Sequence, residues 1–534
     1  MFADDPEYKI WISLEVKEEP TGFSEGSESD ELSDDESEKY SSEISDDDNE
    51  ALLTAEWNNS CEDENKNVCS FQEQTGIREH LIRKDPTDFF EMLFTEELLL
   101  QIVWNVNQYG TKLRQSRGNK SRAARWSNIT LNDIKVFLGL LFHMGTYISN
   151  DMSNYWKSDE IHGIPIFKNS MGRDKFLLIM QYLNFENIDN AQGHQMPQGS
   201  FIVDYFNKIM EKTFKPDKIL CIDESLVFLK DQYLRGKESK DGVKLHLLAD
   251  QYGLVQKVLV LQEDKNKKTK TKVRVNEIIH MLLEERLGVG HSVYMNKYYN
   301  SIGLSKHLMS RNTHTTGILM PDGKGIPSDI TQKQLKKGEK ITKYSPDGIS
   351  LTKWMDRAEI LVISTEHSGE WEERTTKSQN VCRIPTSISK YNHYRGAVER
   401  HKQMMSYYNC QHKTTNWYKK LGIHILQMLL VNSHNLYNRY GEKSIPLAEY
   451  RTVIIRHLLR KDEVSDTSER NFTEMHTLIK IVTTPLQKRG RKRCVICYKN
   501  NKRTTVQTTC SKCPKQPGLC MGKCFEEYHL NLKE

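Results

Sequence analysis

Two segments in the first half of the chain have apolar residues spaced like those of amphipathic helices. In LLLQIVWNVNQY (98–109) and LNDIKVFLGLLFHM (131–144), the apolar side chains recur at intervals of three and four residues. Thr130 precedes the second segment and Asp133 lies three residues after Thr130, which is the pattern of a capping box. The chain between residues 76 and 215 is therefore predicted to be mainly helical.

After residue 216 the apolar residues form short runs that are typical of strands. These runs are KILCIDESLVFL (218–229), VKLHLLAD (243–250), LVQKVLVLQ (254–262), HSVYM (291–295) and AEILVISTEH (358–367). A helical pattern, NEIIHMLLEERL (276–287), precedes the fourth run, and helical periodicity returns after residue 391. Three strands followed by a crossover helix and another strand favour a mixed α/β sheet.

The first of these runs contains two adjacent acids, Asp223 and Glu224, in apolar surroundings. A buried carboxylate is costly unless a cation or hydrogen-bond donors compensate its charge. One interpretation is a strand that ends at Ile222 and is followed by a solvated turn; the other is a metal ligand at the end of a strand. Because successive strand residues face opposite sides, Glu224 is expected to point away from any ligands that accompany Asp223.

Charge is distributed unevenly along the 534 residues. The formal net charge is +4, but residues 24–50 contain thirteen Asp or Glu and one Lys, so the remainder is strongly basic. Residues 1–75 are predicted to be a disordered acidic Ser-rich tail, because so few apolar residues cannot offset the entropy of ordering. Its serines suit an acid-directed kinase, and a plain solubilising tail explains them equally well. The basic remainder favours a polyanionic partner, with nucleic acid as the first candidate.

No segment is typical of a secretory signal or a membrane-spanning helix. The longest apolar stretches, at 136–148 and 421–431, are shorter than the ~18–20 residues that a membrane span requires. We therefore expect no membrane association.

Six of the eleven cysteines lie within residues 494–524. Two Cys-x₂-Cys pairs followed by further Cys and His residues indicate a zinc finger, and without an export signal this clustering favours Zn²⁺ over disulfides. The candidate ligands are Cys494, Cys497, Cys510, Cys513, Cys520, Cys524 and His529. Seven ligands suffice for one zinc ion, whereas two ions would need an eighth ligand or a water. The spacing leaves the pairing of the ligands open.

A basic run, QKRGRKR (487–493), directly precedes the cysteines. Such a run is typical of nuclear import signals and of contacts to DNA phosphates. The candidate DNA-binding residues are Lys488, Arg489, Arg491, Lys492 and Arg493. The alternatives are a solvated linker for the run and a protein-interaction module for the finger.

Ordered motifs from about residue 85 to the C-terminus resemble those of the piggyBac-type transposases and the host proteins derived from them. The motifs include DPTDFFEMLF (85–94), VFLGLLFHMG (136–145), KNSMGRDKFLLIMQYLNF (168–185), IDESLV (222–227), YYNS (298–301), TG (316–317), KWMDR (353–357), STEH (364–367), YNHYRGAVER (391–400) and NWYKKLGIHILQMLLVN (416–432).

The resemblance implies an α/β fold with an RNase H-like catalytic core that is interrupted by an insertion and flanked by helical segments. The domains expected on this basis are the tail (1–75), a helical dimerisation and DNA-binding domain (76–215), the first part of the core (216–322), an insertion domain (323–385), the second part of the core (386–409), a second helical DNA-binding and dimerisation segment (410–485), and a basic linker with a Cys-rich zinc finger (486–534).

The resemblance also implies that four acidic positions of an ancestral two-metal site are occupied here by Asp223, Asn296, Glu399 and Lys402. Two Mg²⁺ ions held by converging carboxylates would activate the attacking oxygen and stabilise the leaving oxygen. Replacing four acids by these residues changes their formal charge from −4 to −1, which should strongly weaken the binding of divalent cations.

We therefore expect a domesticated or decayed transposase that binds double-stranded DNA, including transposon terminal repeats, in the nucleus and forms a homodimer. Strand-transfer activity is not expected. Two alternatives remain open: a divergent active transposase that uses Mg²⁺ at Asp223, Asn296 and Glu399, and a protein-interaction adaptor without a DNA role.

Overall fold

The structure, a computed structural model, describes two compact units formed by residues 1–461 and 462–534. The described residues are 57–60, 70–78, 84–116, 126–149, 151–159, 163–185, 201–228, 242–261, 275–375, 381–410, 416–460, 478–480, 491–510, 513, 516–520, 524 and 527–528. Most of the predicted acidic tail lies outside the described residues.

The first unit contains thirteen described α-helices and one described 3₁₀ helix, Met152–Trp156. The α-helices are α1 (Pro86–Leu93), α2 (Glu96–Ser116), α3 (Leu131–Met144), α4 (Pro165–Ser170), α5 (Arg173–Tyr182), α6 (Phe201–Thr213), α7 (Val275–Leu283), α8 (Ile302–Met309), α9 (Ser328–Gln332), α10 (Thr386–Tyr394), α11 (Ala397–Tyr407), α12 (Trp417–Tyr440) and α13 (Leu447–Leu459).

The predicted capping box at the start of α3 is confirmed. The Asp133 backbone N–H donates to Thr130 Oγ1 at 3.2 Å, and the Thr130 N–H donates to Asp133 Oδ2 at 3.0 Å. These bonds satisfy two backbone donors that would otherwise lack partners at the helix terminus. Helix α2 is longer than the predicted segment 98–109, because its helical backbone continues through the polar residues that follow.

The strands of the first unit form an eight-stranded mixed sheet and two small antiparallel pairs. The strands are β1 (Gly76–Ile77), β2 (Phe214–Lys215), β3 (Ile219–Phe228), β4 (Gly242–Asp250), β5 (Val255–Leu261), β6 (Ser292–Met295), β7 (His314–Ile318), β8 (Lys340–Tyr344), β9 (Ser350–Met355), β10 (Glu359–Ser364), β11 (Trp371–Thr375) and β12 (Val381–Pro385). The large sheet has the order β5-β4-β3-β6-β7-β10-β9-β8, and β6 is parallel to both β3 and β7.

Strand β3 continues to Phe228, so the interpretation that it ends at Ile222 is wrong. Antiparallel pairing with β4 is unbroken along β3, and Asp223 lies opposite Leu247 in this ladder. On the other side, the parallel partner β6 ends at Met295, opposite Ile222. Asp223 therefore begins the part of β3 that extends beyond its parallel partner.

The two faces of the sheet are covered by different apolar clusters. Alternate residues of β3 divide between them: Cys221 and Val227 belong to the large cluster formed with the N- and C-terminal helices, whereas Leu220 and Ile222 pack with α7 and α8. Because β3 is buried on both faces, its sequence is a nearly continuous run of apolar residues. Asp223 follows Cys221 by two residues and therefore shares the face of the large cluster.

Strands β8, β9 and β10 come from the segment predicted as an insertion (323–385), and they extend the same sheet through the antiparallel pairing of β10 with β7. The boundary at residue 323 stays a prediction. At the outer edge of the sheet, Asn58 pairs with Tyr344 of β8 through two backbone hydrogen bonds of 2.9 Å.

The second unit contains short described elements around its cysteines. They are β13 (Leu478–Lys480), β14 (Lys492–Arg493), α14 (Val495–Lys499), β15 (Thr505–Val506) and β16 (Thr508–Cys510). Strand β13 pairs with β16, and β14 pairs with β15. In the described part of the chain, no helix combines the length and the apolarity that crossing a membrane requires.

Candidate functional site

Three elements that are distant in sequence bring the four predicted positions together. Asp223 lies in β3, Asn296 directly follows β6, and Glu399 and Lys402 lie one turn apart on α11. Since β6 is parallel to β3, the chain leaves β6 beside Asp223. Helix α11 packs on β3 and β4, which places its polar residues above the same point of the sheet.

The amide of Asn296 donates a hydrogen bond to Asp223. Its Nδ2 lies 2.7 Å from Asp223 Oδ1, and its Oδ1 accepts the Tyr298 backbone N–H at 3.0 Å. Because the Tyr298 N–H needs an acceptor, the amide oxygen faces Tyr298 and the amide nitrogen faces the carboxylate. The Glu224 N–H donates to the same Asp223 oxygen at 2.8 Å. Asp223 Oδ1 thus already accepts two hydrogen bonds.

The second oxygen of Asp223 faces an ammonium group. Lys402 Nζ lies 3.6 Å from Asp223 Oδ2 and 2.9 Å from Glu399 Oε2. Burial lowers the pKa of Lys402, but the two carboxylates outweigh burial and raise this pKa above its usual value. Lys402 therefore stays charged at neutral pH and lies between the two remaining acids of the site.

The Glu224 side chain, unlike its backbone N–H, takes no part in this group, as the alternation of strand side chains predicts. Its Oε2 pairs with Lys244 Nζ at 3.0 Å, and burial raises the pKa of the Glu224 carboxyl. Lys244 also lies 4.2 Å from the centre of the Tyr298 ring. Glu224 is therefore held by contacts of its own.

The loop that carries Asn296 is fixed by Asn300, a residue to which no role was assigned from the sequence. Asn300 Nδ2 donates to the backbone oxygens of Met295, Asn296 and Ile318 at 2.9, 2.9 and 3.1 Å. A Cβ at Gly317 would lie 2.2 Å from Asn300 Nδ2, so only glycine leaves room for this amide. The motifs YYNS and TG contain both residues, but their contact depends on the pairing of strands that are distant in sequence.

The donors at this site do not fit a pair of Mg²⁺ ions. Such ions require several oxygen ligands in near-octahedral geometry. Here one carboxylate oxygen accepts two N–H groups, the amide presents its nitrogen, and an ammonium lies between the two acids. The three charged side chains, Asp223, Glu399 and Lys402, carry a formal charge of only −1.

The second unit brings four of the predicted zinc ligands together. The sulfur atoms of Cys494, Cys497, Cys520 and Cys524 all lie within 4.8 Å of one another. Cys497 Sγ is 3.7 Å from the sulfurs of both Cys520 and Cys524. Four thiolates at a Zn–S distance of about 2.3 Å in a tetrahedron would be separated by about 3.8 Å. The spacing and chemistry of these sulfurs therefore fit a zinc ion.

The other predicted ligands are not part of this set of four. Cys510 and Cys513 are buried in the small apolar cluster of the second unit. His529 lies outside the described residues.

Three of the predicted DNA-binding residues directly precede Cys494. Arg491 and Arg493 are exposed, and Lys492 Nζ donates to the Gln516 backbone oxygen at 2.7 Å. Strand β14 therefore holds Lys492 and Arg493 beside the cysteine cluster. Lys488 and Arg489 lie outside the described residues.

Comparisons with known families match both units. A family model described as Transposase IS4 matches residues 85–434, and a model described as a DDE_Tnp_1-like zinc finger matches residues 475–530.

Curated human proteins match most of the chain. The chain is 24% identical over 481 residues to piggyBac transposable element-derived protein 3. This match covers 84% of the chain and 77% of that protein. The chimeric ERCC6-PGBD3 protein shares 24% identity over 481 residues, covering 84% of this chain and 43% of its own length. PiggyBac transposable element-derived protein 2 is 22% identical over 477 residues, and the match covers 83% of this chain and 76% of that protein.

A solved structure has a similar fold. It is a piggyBac transposase in a synaptic complex with hairpin DNA, determined by cryo-EM. The two structures have a TM-score of 0.61 at 18% sequence identity, and the match covers 84% of this chain and 99% of the transposase chain.

Proposed function

The chain belongs to the piggyBac-type transposase family, and from this premise we propose that it is a DNA-binding protein derived from a transposase that no longer carries out strand transfer. The family membership explains why Asp223, Asn296, Glu399 and Lys402 meet at one point. Their present chemistry is the reason to assign binding rather than catalysis to this member of the family.

The proposal that catalysis is lost rests mainly on the position of Lys402. Its ammonium contacts the acids on β3 and α11 at 3.6 and 2.9 Å, so it takes up the negative charge that divalent ions would need. Asn296 supplies an amide N–H to Asp223 at 2.7 Å where a carboxylate would have been a ligand. Asn296 and Lys402, which occupy positions where acids are expected, both favour a closed network of hydrogen bonds and ion pairs in the absence of metal.

We assign an RNase H-like fold to the core. The order β5-β4-β3-β6-β7, with an antiparallel group of three strands followed by two parallel strands, is the arrangement expected for this fold. In the proposed function, this sheet and the helices around it serve as a scaffold.

The DNA role is assigned to the helical segments and to the C-terminal finger. The structurally similar transposase was solved with hairpin DNA, and the zinc-finger model covers the cysteines of this chain. Exposed Arg491 and Arg493 lie beside the proposed zinc site, where they would contact phosphates. On this basis the partner is double-stranded DNA in the nucleus, with terminal repeats of related elements as the first sites to test and a homodimer as the expected assembly.

The catalytic part of the proposal is tested by nicking assays on hairpin and terminal-repeat DNA in the presence of Mg²⁺ or Mn²⁺. We expect no cleavage by the native chain. Metal-dependent cleavage that disappears in Asp223→Ala would instead identify an active transposase. The double variant Asn296→Asp with Lys402→Asp serves to test whether the fold can still support the chemistry.

The binding part is tested by measuring DNA affinity at several salt concentrations. Replacing Arg491 and Arg493 by alanine should lower the affinity and reduce the slope of log K against log[salt] by about 1 for each phosphate that the variant no longer neutralises. Tyr498→Ala, which changes an exposed residue of α14 without removing charge, is the matched control. Undetectable binding of the native chain to any duplex would favour the protein-interaction adaptor.

A further inference from the structure

A cleft with a volume of about 420 Å³ lies at the edge of the large sheet that is formed by β5. Helix α6 packs on one face of the sheet and α7 on the other, and both helices contact β5. Side chains of α6, of β5 and of the turn that follows α7 line this cleft, which we call the β5 cleft. Strand β4 separates β5 from β3, so the β5 cleft is distinct from the site around Asp223.

The lining of the β5 cleft is strongly basic. Its five cationic side chains are Arg78, Lys208, Lys212, Lys257 and Arg286. Among the described residues, the acids that line it are Glu211 and Glu285. Five cations and two acids give the lining a formal charge of +3, which favours an anionic ligand with more than one negative charge.

One of the two acids is already bound within the wall of the cleft. Arg286 donates to both carboxylate oxygens of Glu211, with Nη1 at 3.2 Å from Oε1 and Nη2 in contact with Oε2. The Arg286 side chain is almost fully buried, so this bidentate pair is a fixed part of the wall. Glu211 therefore mainly neutralises Arg286 and leaves the charges of Lys208 and Lys257 largely uncompensated.

Lys257 is a mostly buried cation without a close acid. Its side chain is only 18% exposed, and its ion-pair partner among the described residues is Glu285, whose Oε1 lies 4.0 Å from Lys257 Nζ. Lys306 has a similar exposure of 17%, but its Nζ contacts Asp347 at 2.9 Å. A buried ammonium is costly unless acceptors surround it. The environment of Lys257 therefore points to an anion that binds in the cleft.

A phosphate group has the chemistry that these side chains require. Its oxygens accept hydrogen bonds from several ammonium and guanidinium groups at once, and its charge matches a basic lining better than a single carboxylate does. The volume of the cleft lies within the range of about 300–1,000 Å³ that is usual for ligand pockets, so the phosphate can be part of a larger molecule.

We propose that the β5 cleft binds a phosphate group, with Lys257 and Lys208 as its contacts. The phosphate belongs either to the backbone of a nucleic acid or to a small phosphorylated molecule, and the two sources share the same chemistry. The site requires neither the C-terminal finger nor metal at Asp223. Only its use in DNA binding rests on the function proposed above.

Pyrophosphate is a small probe for the cleft, and its affinity for the zinc-loaded full chain is measured by titration calorimetry at constant ionic strength. Lys257→Gln should weaken binding roughly 10- to 100-fold, which is the usual effect of losing a charged hydrogen bond. Lys443→Gln, which removes the same charge from an exposed position elsewhere, is the matched control and should change the affinity little. Zinc content is measured after each titration, so that chelation of the zinc is recognised.

Two further variants keep the test valid if Lys257→Gln does not fold. Lys208→Gln changes an exposed residue of α6 and should weaken binding about threefold, because solvent screens this ammonium more strongly. Glu285→Gln removes the acid that faces Lys257 and should strengthen binding by a similar factor. A loss of packing would weaken binding in every variant, so the opposite sign at Glu285 separates electrostatic binding from damage to the fold.

A competition experiment with a 20-base-pair duplex identifies the source of the phosphate. If DNA occupies the cleft, the duplex displaces pyrophosphate and Lys257→Gln also lowers the affinity for DNA. If the ligand is a small molecule, pyrophosphate binds equally well to the DNA-saturated chain. Either result supports the β5 cleft as a phosphate site. Undetectable pyrophosphate binding, equal affinities of Lys257→Gln and Lys443→Gln, or weaker binding by Glu285→Gln overturns the proposal. The titration without DNA separates this outcome from a failure of the proposed DNA-binding function.

Discussion

Replacing Lys402 by alanine should restore affinity for divalent cations between Asp223 and Glu399. The ammonium lies 3.6 Å from Asp223 Oδ2 and 2.9 Å from Glu399 Oε2, so a cation bound to both acids would lie within about 4 Å of it. At an effective dielectric constant of about 20, two unit charges at 4 Å interact by about 4 kcal/mol, and a divalent ion would be repelled by about 8 kcal/mol.

Solvent reduces this repulsion, because the side chains of Lys402 and Asp223 are 30% and 24% exposed. If about half of it remains, the affinity for a divalent ion should rise by roughly a thousandfold when the ammonium is removed. Changing Asn296 to Asp in addition should strengthen binding further, because the amide nitrogen that now donates to Asp223 becomes a second charged oxygen ligand.

The affinity for Mg²⁺ and Mn²⁺ is measured by titration calorimetry on zinc-loaded protein. The series is the native chain, Lys402→Ala, and Asn296→Asp with Lys402→Asp, with affinity rising in this order. Lys175→Ala, which breaks a 2.6 Å ion pair between α5 and Asp133, is the matched control and should leave metal binding unchanged.

Native protein that binds Mg²⁺ as tightly as the Lys402→Ala variant would falsify the electrostatic account of the site. If Lys402→Ala does not fold, Lys402→Gln removes the charge while keeping most of the side-chain volume, and the same order of affinities is expected.

Three further predictions concern the zinc site, the buried histidines and the loop that carries Asn296. Zinc chelation or Cys497→Ser should unfold the second unit, since its four close thiolates would lose their shared cation, and the unfolding transition of the first unit should stay unchanged in scanning calorimetry. Burial lowers the pKa of His401 to about 3 and that of His246 to about 4, so the unfolded chain takes up protons below about pH 6.5 before the folded chain does. Stability should therefore be lost as the pH falls from 6.5 toward these values, by roughly 2 kcal/mol for each histidine at pH 5; an unfolding midpoint that is equal at pH 7 and pH 5 contradicts this. Gly317→Ala should greatly reduce the yield of folded protein, because the new Cβ would lie 2.1 Å from the Met295 oxygen and 2.2 Å from Asn300 Nδ2, whereas Gly172→Ala, with open space around its Cβ, should be tolerated.

The elements that could be predicted from sequence are those whose determinants are local. The capping box at Thr130 and Asp133 lies within four residues, and the apolar runs of β4 and β5 reflect burial that each strand experiences along its own length. The cysteines that could hold a metal ion were recognisable for the same reason, since the spacing of Cys494 and Cys497 already suits one ion.

Features that depend on distant pairing were not predictable in this way. The length of β3 beyond Ile222 follows from its ladder with β4, and the role of Asn300 follows from the nearness of Met295 and Ile318. The family resemblance supplied the positions of Asn296, Glu399 and Lys402, but no sequence pattern gave the direction of the Asn296 amide or the contact of Lys402 with both acids. Side-chain orientation is set by neighbours that the sequence does not place.

The helix that supplies Lys402 is made long after the strand that carries Asp223. Protein synthesis at about 5–20 residues per second separates the two residues by roughly 10–35 seconds, and the other strands of the large sheet are synthesised in between. Asp223 therefore gains the ammonium at 3.6 Å only after α11 has been synthesised and has packed on β3.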